Sequence, residues 1–175
     1  SFPSRRANGV HVMNMCKALN NLSHTVNLFI RSESNQSRNF IFDNYEMNSK
    51  FINIIETKPL LKKGTELFIA LKALIRYLFL NTLEKNSILI ISRNIFAAYV
   101  LSFLHKKKLI YETHILETGR IRKLIQKFLL KKNNIKTVVI SEALKNILLS
   151  NYNSNNSNIK VYHDAAFDGG SPLTY

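Results

Sequence analysis

Short apolar runs of strand character recur along this 175-residue chain, and segments of helical periodicity separate them. The strand-like runs are Thr25–Ile30, Phe51–Ile55, Ser87–Ser92, Leu109–Thr113, Lys136–Ser141 and Ile159–Tyr162. They are rich in Val, Ile, Phe and Tyr and are bounded by polar or turn-forming residues. Helical segments follow at the opening, at Leu67–Leu83, Asn94–Leu104 and Thr118–Lys132, and from a capping Ser141 through Leu149. Alternation of this kind predicts right-handed βαβ units: an α/β, Rossmann-like fold, its sheet mostly parallel with helices on both faces. Residues 1–175 read as one such domain. Ligands of these folds gather beyond the carboxyl ends of the strands. Attention falls on Arg31, Ser92 with Arg93, Glu112 with His114, Ser141, and His163 with Asp164.

The Leu67–Leu83 segment is apolar on most of its faces, which predicts a buried core helix. Ser32–Lys50 is polar and reads as a surface loop, with a short strand or turn near Phe40–Phe42. Asn151–Ser157 is an Asn/Ser-rich loop, and the tail from His163 to Gly170 is loop as well.

The opening, Phe2 to Met15, reads as a turn that breaks into a helix. Pro3 and Gly9 punctuate the turn, and Asn8 is placed to cap the first free amides. Val12, Met15, Cys16 and Leu19 then share one apolar face. Gly9 has two readings. It shapes the turn, or it lets backbone approach an anion at a helix N-terminus. No strand precedes this turn, so the chain reads as lacking its first strand.

Composition narrows the field. The apolar fraction, 46%, is that of a globular protein. Cys16 is the single cysteine, so no internal disulfide forms, and its apolar setting suggests a small buried hydrophobe. Cytoplasm is the expected compartment. The longest apolar-rich run contains Lys72 and Arg76 and is too short to span a bilayer. There is no nucleophile elbow, no phosphate loop ending in Gly-Lys-Ser/Thr, and no full dinucleotide fingerprint. No histidine–acid spacing suits a metal.

The net charge of +14 calls for an anionic partner. From His105 to Lys136 there are ten Lys or Arg against Glu112 and Glu117. Ile121, Leu124, Ile125, Phe128 and Leu129 form an apolar stripe expected to pack on the sheet, with the charges solvated. Arg120, Arg122, Lys123 and Lys127 lie off the stripe, where they could meet an anionic membrane surface. Both readings hold together if only the basic face touches headgroups. Nucleic acid is the weaker partner, because aromatic residues are not interleaved with the basic ones.

His114 follows a strand directly and is the candidate for proton or hydrogen-bond chemistry at a crevice. The plainer alternative is a surface-loop histidine. Glu112 lies two residues earlier, on the same side of an extended chain. It orients the imidazole, acts on substrate, or simply ends the strand.

Several segments in order carry a family likeness: Phe2-Pro3-Ser4 with Ala7-Asn8-Gly9-Val10-His11-Val12, Ser23-His24-Thr25-Val26, Ile91-Ser92-Arg93-Asn94, Tyr111-Glu112-Thr113-His114, Val139-Ile140-Ser141-Glu142-Ala143-Leu144-Lys145, and Val161 to Asp168. Together they resemble the N-terminal domain of family-4 glycosyltransferases of the GT-B type. The resemblance implies two Rossmann-like domains facing across a cleft, the N-terminal one binding acceptor and the other most of a nucleotide-sugar donor. It implies sugar transfer with retention, without metal or cofactor, onto a glycan, lipid or other acceptor. By position His114 would be the catalytic-site histidine near the donor sugar. Asn8, Gly9, Arg93 and Glu112 would bind substrate or phosphate. Many such enzymes work at the inner membrane face. The donor domain is expected beyond Tyr175, and this piece alone is expected to be inactive. Two other readings stay open: a non-catalytic module that binds a phosphorylated ligand or docks on a membrane, and a basic nucleic-acid binder.

Overall fold

The computed structural model describes residues 7–31, 52–58, 64–104, 109–154 and 158–162. The Phe40–Phe42 segment, the residues before Ala7, and the tail with His163 and Asp164 lie outside them. The elements run α1 (Ala7–Asn21), β1 (Val26–Arg31), β2 (Ile52–Thr57), α2 (Thr65–Leu78), α3 (Thr82–Ser87), β3 (Ile90–Ser92), α4 (Ile95–Leu104), β4 (Leu109–Thr113), α5 (Arg120–Lys131), β5 (Ile135–Val139), α6 (Glu142–Tyr152) and β6 (Ile159–Val161). The fold is α/β and every strand pair is parallel, as the alternation predicts. The described residues fall into two compact units, one holding α1, β1 and β2, the other running from α2 to β6.

In the first unit β1 and β2 pair from Val26 opposite Ile52 to Arg31 opposite Thr57. Met13 and Cys16 of α1 bury against Ile30, Ile52 and Ile54, with Val12 packed beside them. The buried face of α1 is therefore rotated from the expected stripe: Met13 is sealed, while Met15 and Leu19 are only half-buried. Gly9 lies on that sealed face, four residues before Met13. It is helical, as is Asn8, because the helix begins at Ala7. Asn8 is thus inside the first turn and not its cap. Helix α1 ends at a left-handed Ser23 (φ 63°). There Ser23 and His24 donate amides to the carbonyls of Asn20 and Leu19.

The second unit is a four-stranded sheet in the order β3-β4-β5-β6. Because all four strands are parallel, their carboxyl ends share one edge. Leu130 of α5 and Leu144, Leu148 and Tyr152 of α6 bury against Val139 and Ile159. Ser141 caps α6 as expected, its hydroxyl accepting from the Leu144 amide at 3.2 Å.

Four expectations fail here. The long helix stops at Leu78, since Asn81 and Glu84 form a reciprocal capping box, both bonds 2.8 Å, that starts a new helix. That helix uses Ser87, so β3 is only Ile90–Ser92 and Leu89 is exposed. Helix α2 is not an all-round core helix. It buries Thr65, Ala70, Ala73 and Tyr77 and turns its large apolar residues outward. On α5 the buried residues are Gln126, Leu129 and Leu130, whereas Ile121 (69%) and Leu124 (68%) are exposed. The expected stripe is rotated away from the sheet, and only Leu129 of it is sealed.

Burial pushes the Cys16 thiol up to about 11 and the Tyr111 hydroxyl up to about 12. Below both unfolded values each group keeps its proton in either state, and its contribution is whole. Above them the unfolded chain releases protons that the folded chain holds, so stability falls as pH rises. Urea midpoints are expected to drop between about pH 8 and about pH 12, and Cys16→Ala with Tyr111→Phe is expected to flatten the drop.

Candidate functional site

Arg93, Glu112 and His114 meet at the carboxyl edge of the second unit's sheet. Arg93 follows β3, and β4 lies beside it with Ser92 opposite Tyr111. The Glu112 carboxylate is buried. A buried carboxylate requires charge-assisted partners. One of its oxygens, Oε1, accepts from Arg93 Nη2 and also lies 3.0 Å from His114 Nε2. Glu112 and His114 lie on the same side of the extended chain, as their spacing predicts. The Arg93 and His114 side chains remain about a fifth to a quarter exposed (24% and 21%), so the cluster is open to a ligand. With the carboxylate accepting there, Nε2 carries the ring proton and Nδ1 is left to accept a hydrogen bond from a bound hydroxyl.

The two loops that present these residues are fixed by Ser92 and Asn94 on one side and, on the other, by Gln126, which was not singled out from the sequence. Asn94 Oδ1 accepts from the amides of Phe96 and Ala97, capping α4, while its Nδ2 donates to the Glu66 carbonyl at 2.8 Å. Ser92 Oγ donates to the Asn94 carbonyl at 2.9 Å. Arg93 is held inside that turn. After β4, the fully buried Gln126 of α5 ties the chain down. Its Nε2 donates to Thr113 Oγ1 and the Ile115 carbonyl, and its Oε1 accepts from the Glu117 amide and the Tyr152 hydroxyl, both at 3.0 Å. Side chains alternate along a strand, so Thr113 faces Gln126 while Glu112 points to the other side of the sheet.

A second ion-pair cluster braces the same region. Arg122 holds Glu117 through Nε at 2.5 Å and Nη2 at 3.0 Å, and reaches Glu66 of α2 through Nη1 at 2.5 Å. The bond to Glu117 is the largest of the effects that raise the Arg122 guanidinium above its ordinary value. Arg122 is therefore a structural clamp. Gln126 left a signal in the sequence: a polar residue on the same helical face as Leu129 and Leu130 marks a buried amide with partners.

Of the sequence-selected site residues, three come together in the second unit. Asn8 and Gly9 belong to the first unit, in the first turn of α1. Ser141 is occupied by its capping bond. Among the described residues no group of three or more His, Cys, Asp or Glu is placed to hold a metal ion. Compared with protein-family models, curated proteins and solved structures, the chain matches none.

Gln126→Leu leaves the Glu117 amide and the Tyr152 hydroxyl without their acceptor and is expected to cost about 3 kcal/mol by urea unfolding. Tyr152→Phe, which removes one hydrogen bond and leaves the amide's others, is expected to cost about 1 kcal/mol in the same measurement.

Proposed function

We propose that this chain is the acceptor-side domain of a retaining glycosyltransferase of the GT-B type, resembling family 4. The observation that supports the reading is the meeting of Arg93, Glu112 and His114 at one open sheet edge. Ligands of parallel α/β folds gather beyond the carboxyl ends of the strands, which supports the reading. In the reaction the bond from the sugar's anomeric carbon to the donor phosphate breaks. A bond from that carbon to an acceptor hydroxyl forms, the hydroxyl proton is released, and a nucleoside diphosphate departs.

On this reading His114 hydrogen-bonds the donor sugar near the reacting carbon. Glu112 fixes the tautomer and orientation of the ring. Arg93 pairs with the Glu112 carboxylate and sets a fixed positive charge at the edge where phosphate or sugar oxygens would lie.

The test uses the protein that carries this chain together with the donor-binding domain the reading requires, assayed for nucleoside diphosphate release from nucleotide sugars. His114→Ala is expected to lower kcat roughly 10²-fold with an unchanged melting temperature. Glu112→Gln is expected to lower kcat and also to destabilise, because the Arg93 guanidinium loses its counter-charge. Turnover unchanged in His114→Ala would remove the histidine from the site. A lone ion-pair role for Arg93 and Glu112 would show as lost stability without lost kcat.

A further inference from the structure

Helix α2 is amphipathic in the unusual sense: its sheltered side is made of small residues and Tyr77, and its outward side is apolar. Leu67, Leu71, Ile75 and Leu78 are each between 45% and 54% exposed, and Phe68 stands beside them. Lys72 and Arg76 run along one edge of this stripe and are exposed as well. An ordinary surface helix would place charges there and bury the leucines.

The stripe belongs to a wider surface. Helix α2 packs on α4, and α4 on α5. The Tyr77 hydroxyl donates to the Leu104 carbonyl at 3.2 Å, and Arg122 joins α5 to Glu66 of α2. Phe103 of α4 stacks on Phe128 of α5 at 5.2 Å and is itself exposed. On α5 Ile121 and Leu124 are exposed as well, with exposed Arg120, Lys123 and Lys127 on the same helix. Exposed large apolar side chains gathered on three helices that pack in succession mark an interaction site.

The charge of the three helices is one-sided. They carry Lys72, Arg76, Arg120, Arg122, Lys123, Lys127 and Lys131, and their single acidic residue is Glu66, already held by Arg122. Leucine, isoleucine and phenylalanine side chains ringed by lysine and arginine match the boundary between anionic headgroups and acyl chains. A second copy of the same surface would set these cations against each other. None of the described helices is long and apolar enough to cross a membrane.

We infer that the outer surface of α2, α4 and α5 docks on an anionic lipid bilayer, lying in its interface. The leucines of α2 enter the acyl boundary, and the exposed Arg76, Arg120, Lys123 and Lys127 meet phosphate headgroups. Arg122 is left out of the headgroup set because its guanidinium clamps Glu117 and Glu66. The surface is defined by exposure and charge alone, so it holds whether or not the chain serves sugar transfer.

The chain has no tryptophan, so Leu71→Trp introduces a single reporter at an exposed position. On mixing with vesicles of phosphatidylcholine and phosphatidylglycerol, its emission is expected to shift to the blue and to be quenched by lipids brominated in the acyl chains. Pure phosphatidylcholine vesicles, or high salt, are expected to weaken binding roughly tenfold or more. Arg76→Gln with Lys123→Gln and Lys127→Gln, all at exposed positions, is expected to do the same by vesicle flotation. No blue shift with anionic vesicles overturns the inference. A shift that grows with protein concentration without lipid also overturns it, in favour of self-association. Equal binding to neutral and anionic vesicles overturns the headgroup assignment.

Discussion

One buried amide joins the parts of the second unit. Gln126 has no solvent access, and four partners converge on it: Thr113 at the end of β4, the Ile115 carbonyl and Glu117 amide of the following loop, and Tyr152 at the end of α6. A polar group so placed is costly unless every bond is made. The strand end, the loop and two helices are therefore fixed together or not at all. Arg122 adds a charged brace outside this hub by clamping Glu117, the residue whose amide Gln126 accepts.

The candidate site uses that rigidity from the opposite side of the same strand. Tyr111 and Thr113 face inward toward Gln126, so Glu112 must face the other way, where Arg93 arrives from the neighbouring parallel strand. The buried carboxylate accepts Arg93 and His114 on one oxygen. Its charge, the guanidinium and the imidazole thus form a unit whose geometry is set by two anchored loops. The Asn94 cap on one side and the Gln126 hub on the other do for these loops what an active site demands: they hold the presenting residues without occupying them.

Much of this was legible in the sequence, and the reasons are local. The β4 run Leu109–Thr113 is reproduced in full because its β-branched and aromatic residues are bounded by polar ones. Ser141 was readable as a cap, and Glu112 with His114 as neighbours, because both inferences need only spacing. What failed depends on direction. Periodicity says that α2 and α5 have apolar stripes but not which stripe meets the core. In α2 the alanines and Tyr77 take the inner side, and in α5 Gln126 takes the place that Ile121 and Leu124 were expected to share. The break at Asn81 was also written in the chain, as Asn81-Thr82-Leu83-Glu84, but a continuous apolar pattern masked it. At the opening, Asn8 and Gly9 have the composition of a turn and the conformation of a helix, because the packing of Met13 and Cys16 carries the helix back to Ala7.

The claim on which the site rests is that Glu112 holds His114 by its Nε2 proton. The tautomer of the neutral His114 ring, read from its two nitrogen-15 chemical shifts, tests this most directly. A protonated Nε2 with an unprotonated Nδ1, reverting toward an ordinary tautomer mixture in Glu112→Gln, is the predicted result. A ring protonated at Nδ1, or shifts unchanged by Glu112→Gln, would contradict the account.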